Sequence, residues 1–384
     1  MTPYYQDDAV TLYGGDCRAV LAELPAESVH CVVTSPPYWG LRDYGTATWE
    51  GGDESCDHLE KRGTTRGGPH STITGGQDTT AHAGNYRETC GKCGATRIDS
   101  QLGLEPTPEA YVANMVAVFR EVRRVLRDDG TLWLNIGDSY AGSGMTGGTK
   151  SKEGSAKRTE RMFHGNRRDT VPGLAQKQLI GIPWRVAFAL QADGWYLRSD
   201  IIWSKPNPMP ESVTDRPTKA HEYLFLLAKS PRYYFDPDAV REHAEHREWR
   251  DDRSNAITAY PGSPNRYSDG PSGYPTPTAG RNIRSVWTIA TEPYPGAHFA
   301  TFPRKLVEPC VKAGCPEGGT VLDPFAGSGT TLLVAQSLGR RGVGIDLSPE
   351  YLRQALVRAS RHFGKAAITE DTSPPTDGLW EKQA

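Results

Sequence analysis

The sequence predicts an α/β fold built on a mostly parallel sheet, and two stretches carry that prediction. In the first, the β-branched run from Val29 to Val33 is followed by a helical pattern over 107–125 and an apolar run over 131–136. In the second, the run from Thr320 to Asp323 leads through a glycine-rich turn and a helical pattern to another apolar run, Gly342 to Asp346. Strand, helix and strand in alternation are typical of a parallel sheet.

Length and composition limit the classes of protein that the chain can form. It has 384 residues, a formal net charge of −2 and seven scattered cysteines. No stretch approaches the ~18 apolar residues of a membrane span, and the first residues lack the basic and apolar regions of a signal peptide. An odd, scattered set of cysteines is typical of a reducing compartment. We therefore expect a cytoplasmic protein whose nucleic-acid-binding surface, if it has one, is local.

The residues after the first strand form a stiff turn. Thr34 and Ser35 are followed by Pro36, Pro37 and Tyr38. Each proline fixes its own φ and pushes the preceding residue into an extended conformation. The turn therefore presents backbone carbonyls, one hydroxyl and one aromatic ring at the carboxyl edge of the sheet, where open α/β sheets bind ligands. Taken alone, the same residues also fit a purely structural turn.

The glycine-rich turn after Asp323 is the second candidate site. Glycines let the backbone approach a nucleotide-like ligand, and Asp346 at the end of the next strand can bind ribose hydroxyls. Threonines replace the third glycine of the dinucleotide fingerprint, so a compact ligand such as S-adenosylmethionine (AdoMet) fits better than NAD. Asp16, which follows a strand over 10–13, can reach a ligand or cap the next helix. The turn itself is Pro324-Phe325-Ala326-Gly327-Ser328-Gly329-Thr330-Thr331.

Residues 46–100 are polar, rich in glycine and threonine and without periodicity, which predicts an insertion. A Cys-x-x-Cys pair followed by glycine is typical of half a tetrahedral zinc site, and a Cys-x-His pair upstream can supply the other half. Metal binding would also supply folding energy to a segment without an apolar core. The Cys-x-His spacing is tight, so His70 and His82 are competing ligands. The predicted ligands of a structural Zn²⁺ are Cys56, His58, Cys90 and Cys93.

Two other irregular stretches carry cations. Residues 141–170 are basic, and residues 236–285 mix cations with aromatic residues. Such loops are either solvated and mobile or become ordered on a phosphate backbone. Between them we predict a helix over 183–190, a strand over 195–203 and a β-hairpin that joins Tyr223–Ala228 to 232–235. The candidate phosphate contacts of the first loop include Arg158, Arg161, Arg167 and Arg168.

With these motifs in place, the chain resembles the amino-group DNA methyltransferases. The stretch from Thr34 to Tyr38 resembles their catalytic motif, and 323–331 resembles their AdoMet-binding motif. The catalytic motif comes first, as in the circularly permuted beta group of the family. Smaller elements are similar as well: Gly15-Asp16, the segment His298-Phe299-Ala300-Thr301-Phe302-Pro303 beside the methionine moiety, and the target-side element Trp203-Ser204-Lys205-Pro206-Asn207.

The resemblance implies a Rossmann-like AdoMet-dependent methyltransferase fold, circularly permuted, whose mostly parallel sheet carries a terminal β-hairpin. The implied division is a catalytic half at 1–45 and 101–140, the zinc-binding insert at 46–100, target-recognition loops with a core hairpin at 141–285, and an AdoMet-binding half at 286–384.

The implied activity is methyl transfer from AdoMet to a base amine of double-stranded DNA. Ser35 and the Pro36 carbonyl would accept the amine protons, and Tyr38 would stack on a flipped base. Serine at the first motif position is usual in cytosine-N4 enzymes and aspartate in adenine-N6 enzymes, so Ser35 favours cytosine N4, with adenine N6 as the alternative. The implied cofactor contacts are Asp16, Thr34, His298, Phe299, Thr301, Phe302, Pro303, residues 323–331 and Asp346, and the implied DNA contacts are Trp39, Lys205, Asn207 and the four arginines of the basic loop.

Other functions fit the residues less well. A zinc-containing nucleic-acid-binding protein without activity would not need both motifs intact. A protein-glutamine methyltransferase typically has asparagine where this chain has Ser35. The sequence leaves open the oligomeric state and whether a cognate restriction endonuclease is a partner.

Overall fold

A computed structural model of the chain describes residues 1–40, 48–53, 55–56, 58, 89–141, 171, 173–242, 280–292 and 302–363. Within these ranges no helix is both long and apolar enough to cross a membrane. The strands are β1 (Tyr5–Gln6), β2 (Val10–Gly14), β3 (Val29–Thr34), β4 (Thr48–Glu50), β5 (Thr96–Ile98), β6 (Leu126–Ile136), β7 (Tyr196–Ser204), β8 (His221–Ala228), β9 (Val286–Thr288), β10 (Thr320–Asp323) and β11 (Arg341–Asp346). The α-helices are α1 (Cys17–Glu23), α2 (Pro108–Val125), α3 (Ile182–Ala192), α4 (Arg304–Gly314), α5 (Thr330–Ser337) and α6 (Pro349–Phe363).

One large sheet organises the described chain, with the strand order β1-β2-β11-β10-β3-β6-β8-β7-β9. The five strands from β2 to β6 in that order run parallel, which confirms the predicted α/β fold. Strands β3 and β10 are neighbours, with Val321 opposite Cys31. The connections leave these two strands toward opposite ends of the sheet, because β3 leads to β6 and β10 leads to β11. Such a switch point is where doubly wound sheets bind ligands.

Helices cover both faces of the sheet, as a parallel sheet requires. Helices α1, α2 and α3 pack on one face, and α4 and α5 pack on the other. Helix α2 follows its predicted pattern: the Thr107 hydroxyl accepts a hydrogen bond from the Ala110 amide at 3.1 Å, and Pro108 is the first helical residue. Its predicted apolar stripe is fully buried at Tyr111, Met115, Val118, Val122 and Val125. The predicted helix is therefore confirmed at its start and along its buried face.

The start of β6 differs from the sequence prediction, which has the apolar run begin at residue 131, after the turn-forming residues Asp128-Asp129-Gly130. Helix α2 ends at Val125, and β6 already begins at Leu126, which is fully buried and pairs with Val29. The Lys229 ammonium lies 2.9 Å from the Asp128 carboxylate and donates to the Leu126 carbonyl at 3.0 Å, which supports an acidic residue inside the strand. Burial of Leu126 against the sheet outweighs the turn preference of the residues after it.

The predicted hairpin between β8 and residues 232–235 is wrong. Strand β8 pairs antiparallel with β7 on one edge and with β6 on the other, so no edge is left for a third strand. Residues 232–235 instead cross to other elements, and the Tyr234 amide donates to the Asp129 carbonyl at 2.8 Å. The antiparallel hairpin of the fold is therefore β7–β8, with β9 outside it. Within the insert, β4 and β5 pair in a small antiparallel sheet that the sequence did not predict.

Candidate active site

A cavity of about 420 Å³ opens at the carboxyl edge of the parallel strands. Because β8 runs antiparallel to β6 and β7 antiparallel to β8, the start of β8 and the end of β7 reach this edge too. The cavity has two parts. The acidic half is lined by Asp16, Phe325 and Asp346, and the serine half is lined by the Ser35-Pro36-Pro37-Tyr38 turn, Lys205 and Glu222. The two motifs that the sequence analysis singled out therefore meet in one cavity.

Asp346 is the central acid of the acidic half. One carboxylate oxygen accepts the Gly327 amide at 2.8 Å, and the other accepts the Ser348 amide at 2.8 Å. Burial raises the pKa of Asp346 to about 6, against the lowering effect of these two hydrogen bonds. Gly327 and Gly329 have φ of 50° and 75°, so the turn adopts a left-handed backbone that favours glycine. The backbone of the glycine-rich turn therefore lies beside the Asp346 carboxylate at the cavity.

Asp16 combines the two roles that its position suggested. Its carboxylate accepts the Arg18 amide at 2.8 Å as the N-cap of α1, and it also lines the cavity. Burial acts to raise the pKa of Asp16, but hydrogen bonds and charge from Arg18 outweigh it and lower the pKa. Asp16 is therefore held as a carboxylate at the cavity wall.

Three predicted cofactor contacts lie beneath the cavity instead of lining it. The hydroxyls of Thr34 and Thr331 donate to the two carboxylate oxygens of Asp323 at 2.6 and 2.7 Å. All three side chains are buried, and Asp323 also accepts the Phe325 amide at 3.1 Å. None of the three lines the cavity, so their contact with a cofactor stays a prediction. Their network fixes the glycine-rich turn against the serine turn.

Other predicted cofactor contacts also lie outside the cavity lining. The hydroxyls of Ser328 and Thr330 accept hydrogen bonds from Arg358 at 3.1 and 2.8 Å. Phe302 packs against the core under α4, and Pro303 is the N-cap residue of α4. Pro324, Phe325 and Gly327 do line the cavity, whereas Ala326 and Gly329 are buried behind it. His298, Phe299 and Thr301 lie outside the described residues.

In the serine half, hydrogen bonds hold the catalytic candidates in a chain. The Ser35 hydroxyl donates to the Tyr38 hydroxyl at 3.3 Å, which in turn donates to the Glu222 carboxylate at 2.7 Å. Burial and the charge of Glu222 raise the pKa of Tyr38 well above its usual value. The Asn135 amide donates to the same Glu222 oxygen at 3.3 Å, and Lys205 forms an ion pair with the other oxygen. The sequence analysis missed Glu222 and Asn135.

Backbone contacts fix the serine turn from the other side. The Tyr111 hydroxyl donates to the Pro37 carbonyl at 2.9 Å. Gly137, at the end of β6, faces the Tyr38 ring: a Cβ atom there would lie 2.5 Å from the ring carbon Cε2. Glycine is thus required for the ring to lie where it does.

The structure changes the interpretation of the predicted DNA contacts. Trp39 is 7% exposed, and its indole nitrogen donates to the Glu105 carbonyl at 2.9 Å, so the structure places it in the core and its contact with DNA stays a prediction. Lys205 lines the cavity, 4.3 Å above the Trp203 ring. Asn207 is exposed and exchanges hydrogen bonds of 2.9 and 3.0 Å with Thr291. Arg158, Arg161, Arg167 and Arg168 lie outside the described residues.

The four predicted metal ligands converge. The ligand atoms of Cys56, His58, Cys90 and Cys93 all lie within 4.8 Å of one another. The Cys56 and Cys90 sulfurs are 3.9 Å apart, and the Cys93 sulfur is 3.6 Å from Nδ1 of His58. Backbone hydrogen bonds from Asp53 and Ala95 lower the pKa of Cys93 to about 7, which favours the thiolate that binds metal. The competing candidates His70 and His82 lie outside the described residues.

The metal-ligand cluster is close in sequence to one wall of the cavity. Strand β5 follows Cys93 and leads directly into Ser100, Gln101 and Leu102, which line the cavity. The next residue, Gly103, accepts the Gly40 amide at 2.8 Å, which ties this wall to the serine turn. The insert and the cavity are therefore joined by a short, anchored segment.

Comparisons with known proteins agree with this geometry. The model of the N6_N4_Mtase family, described as DNA methylase, matches residues 29–357. The type II methyltransferase M.Cfr9I of Citrobacter freundii is 42% identical over 351 residues, which cover 91% of this chain and 88% of the relative. The type II methyltransferase M.SmaI of Serratia marcescens is 42% identical over 347 residues, which cover 90% of this chain and 89% of the relative.

The fold is also shared with a solved structure. The PvuII DNA methyltransferase (cytosine-N4-specific) superposes with a TM-score of 0.53 at 17% identity, covering 92% of this chain and 87% of that one. This likeness confirms the predicted methyltransferase fold. The serine turn precedes the glycine-rich turn along the chain although their strands are neighbours in the sheet, as in the permuted order. The chain therefore belongs to the N6/N4 family of DNA methylases.

Proposed function

We propose that the chain transfers a methyl group from AdoMet to the N4 amine of cytosine in double-stranded DNA. One observation carries the proposal: Ser35 and Asp346, at the ends of β3 and β11, line the same cavity. A hydroxyl acceptor for an amine and a carboxylate acceptor for ribose hydroxyls are thereby brought to one space. Cytosine supplies the amine, and AdoMet supplies the ribose.

The acidic half fits AdoMet. Its volume, about 420 Å³ for the whole cavity, lies in the range of sites for small ligands. Asp346 is raised in pKa by burial, so hydroxyl donors from a ribose would stabilise its charged form. Phe325 offers an apolar face, and Asp16 offers a second acceptor. When bound, AdoMet supplies an electrophilic methyl group on a sulfonium.

The serine half supplies what an exocyclic amine needs. Its nitrogen is a poor nucleophile because the lone pair is delocalised into the ring. The Ser35 hydroxyl donates its hydrogen bond to Tyr38, which leaves its lone pairs free to accept an amine N–H, and Pro36 supplies a carbonyl beside it. Hydrogen bonds to both amine protons localise the nitrogen lone pair, and alignment for direct in-line transfer supplies most of the rate. The cavity is recessed at the sheet edge, so the base must leave the duplex stack to enter, where the Tyr38 ring can stack on it.

Ser35 also supports cytosine as the base. Serine is the usual first residue of this motif in cytosine-N4 enzymes. A neutral hydroxyl also polarises the amine N–H less strongly than a carboxylate would. Adenine N6 is the alternative, because adenine presents the same amine beside a ring nitrogen. An inactive binding protein would not need Ser35, Tyr38 and Asp346 to line one cavity.

The Cys/His cluster is proposed to hold a structural Zn²⁺. Tetrahedral zinc with Zn–S distances of ~2.3 Å separates two sulfur ligands by about 3.8 Å, close to the 3.9 Å between Cys56 and Cys90. Three cysteines and one histidine are a standard structural ligand set. The metal would organise the segment that leads to Ser100, Gln101 and Leu102 at the cavity wall.

Recognition of the target is proposed for two segments, residues 141–170, which contain Arg158, Arg161, Arg167 and Arg168, and residues 236–285. The relatives are named type II methyltransferases, so we further propose that a restriction endonuclease cuts the sequence that this chain methylates.

Base analysis tests the proposal. Purified protein is incubated with unmethylated duplex DNA and AdoMet carrying a deuterated methyl group, and the DNA is digested for nucleoside mass spectrometry. Labelled N4-methylcytosine is the expected product. Labelled N6-methyladenine would contradict the choice of base but keep the activity. AdoMet binding without any labelled base would contradict the proposed substrate.

A further inference from the structure

We propose that Glu222 accepts, through the hydroxyls of Tyr38 and Ser35, the proton that the target amine loses on methylation. The inference rests on the proposed function and adds to it the fate of that proton. It also gives a role to Glu222, which lies outside the motifs and was not predicted from the sequence.

The proton has to be removed inside the cavity. As the amine nitrogen uses its lone pair to bind the methyl carbon, the electron pair of the broken carbon–sulfur bond stays on sulfur. The nitrogen then carries a positive charge and two protons, and the neutral methylated product keeps only one. Of the two groups proposed to face the amine, the Pro36 carbonyl is an amide oxygen and a weak proton acceptor. The Ser35 hydroxyl is therefore the group that accepts the amine proton, and to do so it must donate its own proton to a neighbouring acceptor.

The hydrogen bonds of the serine half provide the path for this proton transfer. Ser35 donates to the Tyr38 oxygen at 3.3 Å, and Tyr38 donates to Glu222 Oε2 at 2.7 Å. Three transfers balance the reaction: the amine proton moves to the Ser35 oxygen, the Ser35 proton to the Tyr38 oxygen, and the Tyr38 proton to Glu222. Every hydroxyl ends as it began, and the carboxylate becomes a carboxylic acid. Glu222 returns its proton to solvent after the product leaves.

The surroundings of Glu222 set the direction of the chain. Tyr38 has a second acceptor, Asn135 Oδ1, at 3.1 Å, but the charged Glu222 oxygen is nearer. Charge-assisted hydrogen bonds are the stronger ones, so the Tyr38 proton points to Glu222. Lys205 pairs with the other Glu222 oxygen, and both side chains are less than one-fifth exposed. This ion pair holds one Glu222 oxygen against Lys205 and leaves the other oxygen facing the Tyr38 hydroxyl.

The experiment compares matched variants in single-turnover methyl transfer with saturating AdoMet and DNA. Glu222→Gln keeps the size and shape of the side chain but cannot take a proton, and Tyr38→Phe keeps the ring but breaks the chain. Each should lower the rate at least tenfold, with the dissociation constants for AdoMet and DNA within twofold of wild type. Glu222→Asp should recover a measurable part of the lost rate. Because both residues serve one chain, the double variant should be no slower than Tyr38→Phe alone.

Two results would overturn the inference. One is a wild-type rate for Glu222→Gln, and the other is a double variant whose loss equals the product of the two single losses, which would show independent roles. If Glu222→Gln lost AdoMet or DNA binding, Tyr38→Phe would decide alone, and a wild-type rate for it would equally overturn the relay. The wild-type product in the same assay tests the proposed function, and the rates of the variants test the relay. If wild-type protein forms N4-methylcytosine, a failure of the relay leaves the proposed function standing.

Discussion

The hydroxyl of Thr34 donates a hydrogen bond of 2.6 Å to the carboxylate of Asp323, and both side chains are buried. Thr34 ends β3 and Asp323 ends β10, so this one bond joins the serine turn to the glycine-rich turn across neighbouring strands. Residues that are far apart along the chain thereby hold the two halves of the cavity in register.

The first prediction concerns the charge of Asp323. Burial raises its pKa to about 6, despite hydrogen bonds from Thr34, Thr331 and the Phe325 amide. Since the folded-state pKa exceeds the unfolded value of about 3.9, the stability that this group contributes is complete below about pH 4 and is lost as pH rises through about 6. Relative to Asp323→Asn, the wild-type free energy of unfolding should fall by about 1 kcal/mol between pH 5 and pH 7.5. Urea unfolding at both pH values measures this difference, and a difference that is independent of pH would contradict the account.

The second prediction concerns Trp39, which the sequence placed on DNA and the structure places in the core. Trp39→Phe removes the hydrogen bond to the Glu105 carbonyl and leaves a cavity, so it should cost about 1–3 kcal/mol of stability. The DNA dissociation constant should stay within twofold of wild type. Denaturant unfolding and DNA binding by fluorescence anisotropy check the two parts. Unchanged stability with weakened DNA binding would restore the original interpretation.

Most of the fold was predictable because apolar periodicity records burial directly. The stripe of α2 is fully buried, and β3, β10 and β11 lie where apolar runs end in acids or hydroxyls. The errors at β6 and at residues 232–235 have another cause. Local turn signals such as Asp-Asp-Gly and Ser-Pro do not report which strand edges are already paired in the sheet.

A third prediction tests the Cys/His cluster and its link to the cavity. The purified protein should contain one zinc per chain, and Cys93→Ser should lose it, since removal of one ligand opens a tetrahedral site. Because the segment after β5 forms a cavity wall, AdoMet affinity should fall at least tenfold with the metal. Metal analysis and calorimetric AdoMet titration measure both effects. Cys310→Ala, a buried cysteine on α4 outside the cluster, is the matched control and should keep the zinc. Zinc loss without any change in AdoMet affinity would rule out the link.

A fourth prediction concerns Gly137 and the Tyr38 ring. Gly137→Ala places a methyl group 2.5 Å from ring carbon Cε2, so the ring must move and methyl transfer should slow by at least tenfold. AdoMet affinity should hold, because Gly137 does not line the cavity. The partner experiment adds the substitution to Tyr38→Ala, where no ring is left to displace. A further slowing in that background would show that Gly137 acts in some other way.

The site was only half predictable from the sequence, for a physical reason. Ser35, Tyr38 and Asp16 follow parallel strands and Asp346 ends one, so motif and position agree and all four line the cavity. Glu222 is the second residue of the antiparallel strand β8, and it reaches the cavity because β8 pairs with β6. The available signal was a lone acid immediately before an apolar run, which becomes informative only once that pairing is known.

The most direct test of the central claim separates binding from chemistry at the two ends of the cavity. Ser35→Ala is compared with Asp346→Ala by single-turnover methyl transfer to duplex DNA and by AdoMet titration. Ser35→Ala should lower the rate at least a hundredfold with the AdoMet dissociation constant nearly unchanged. Asp346→Ala should chiefly raise that constant. Full activity of Ser35→Ala would contradict the assignment of the catalytic turn and, with it, the account of this cavity as the site of methyl transfer.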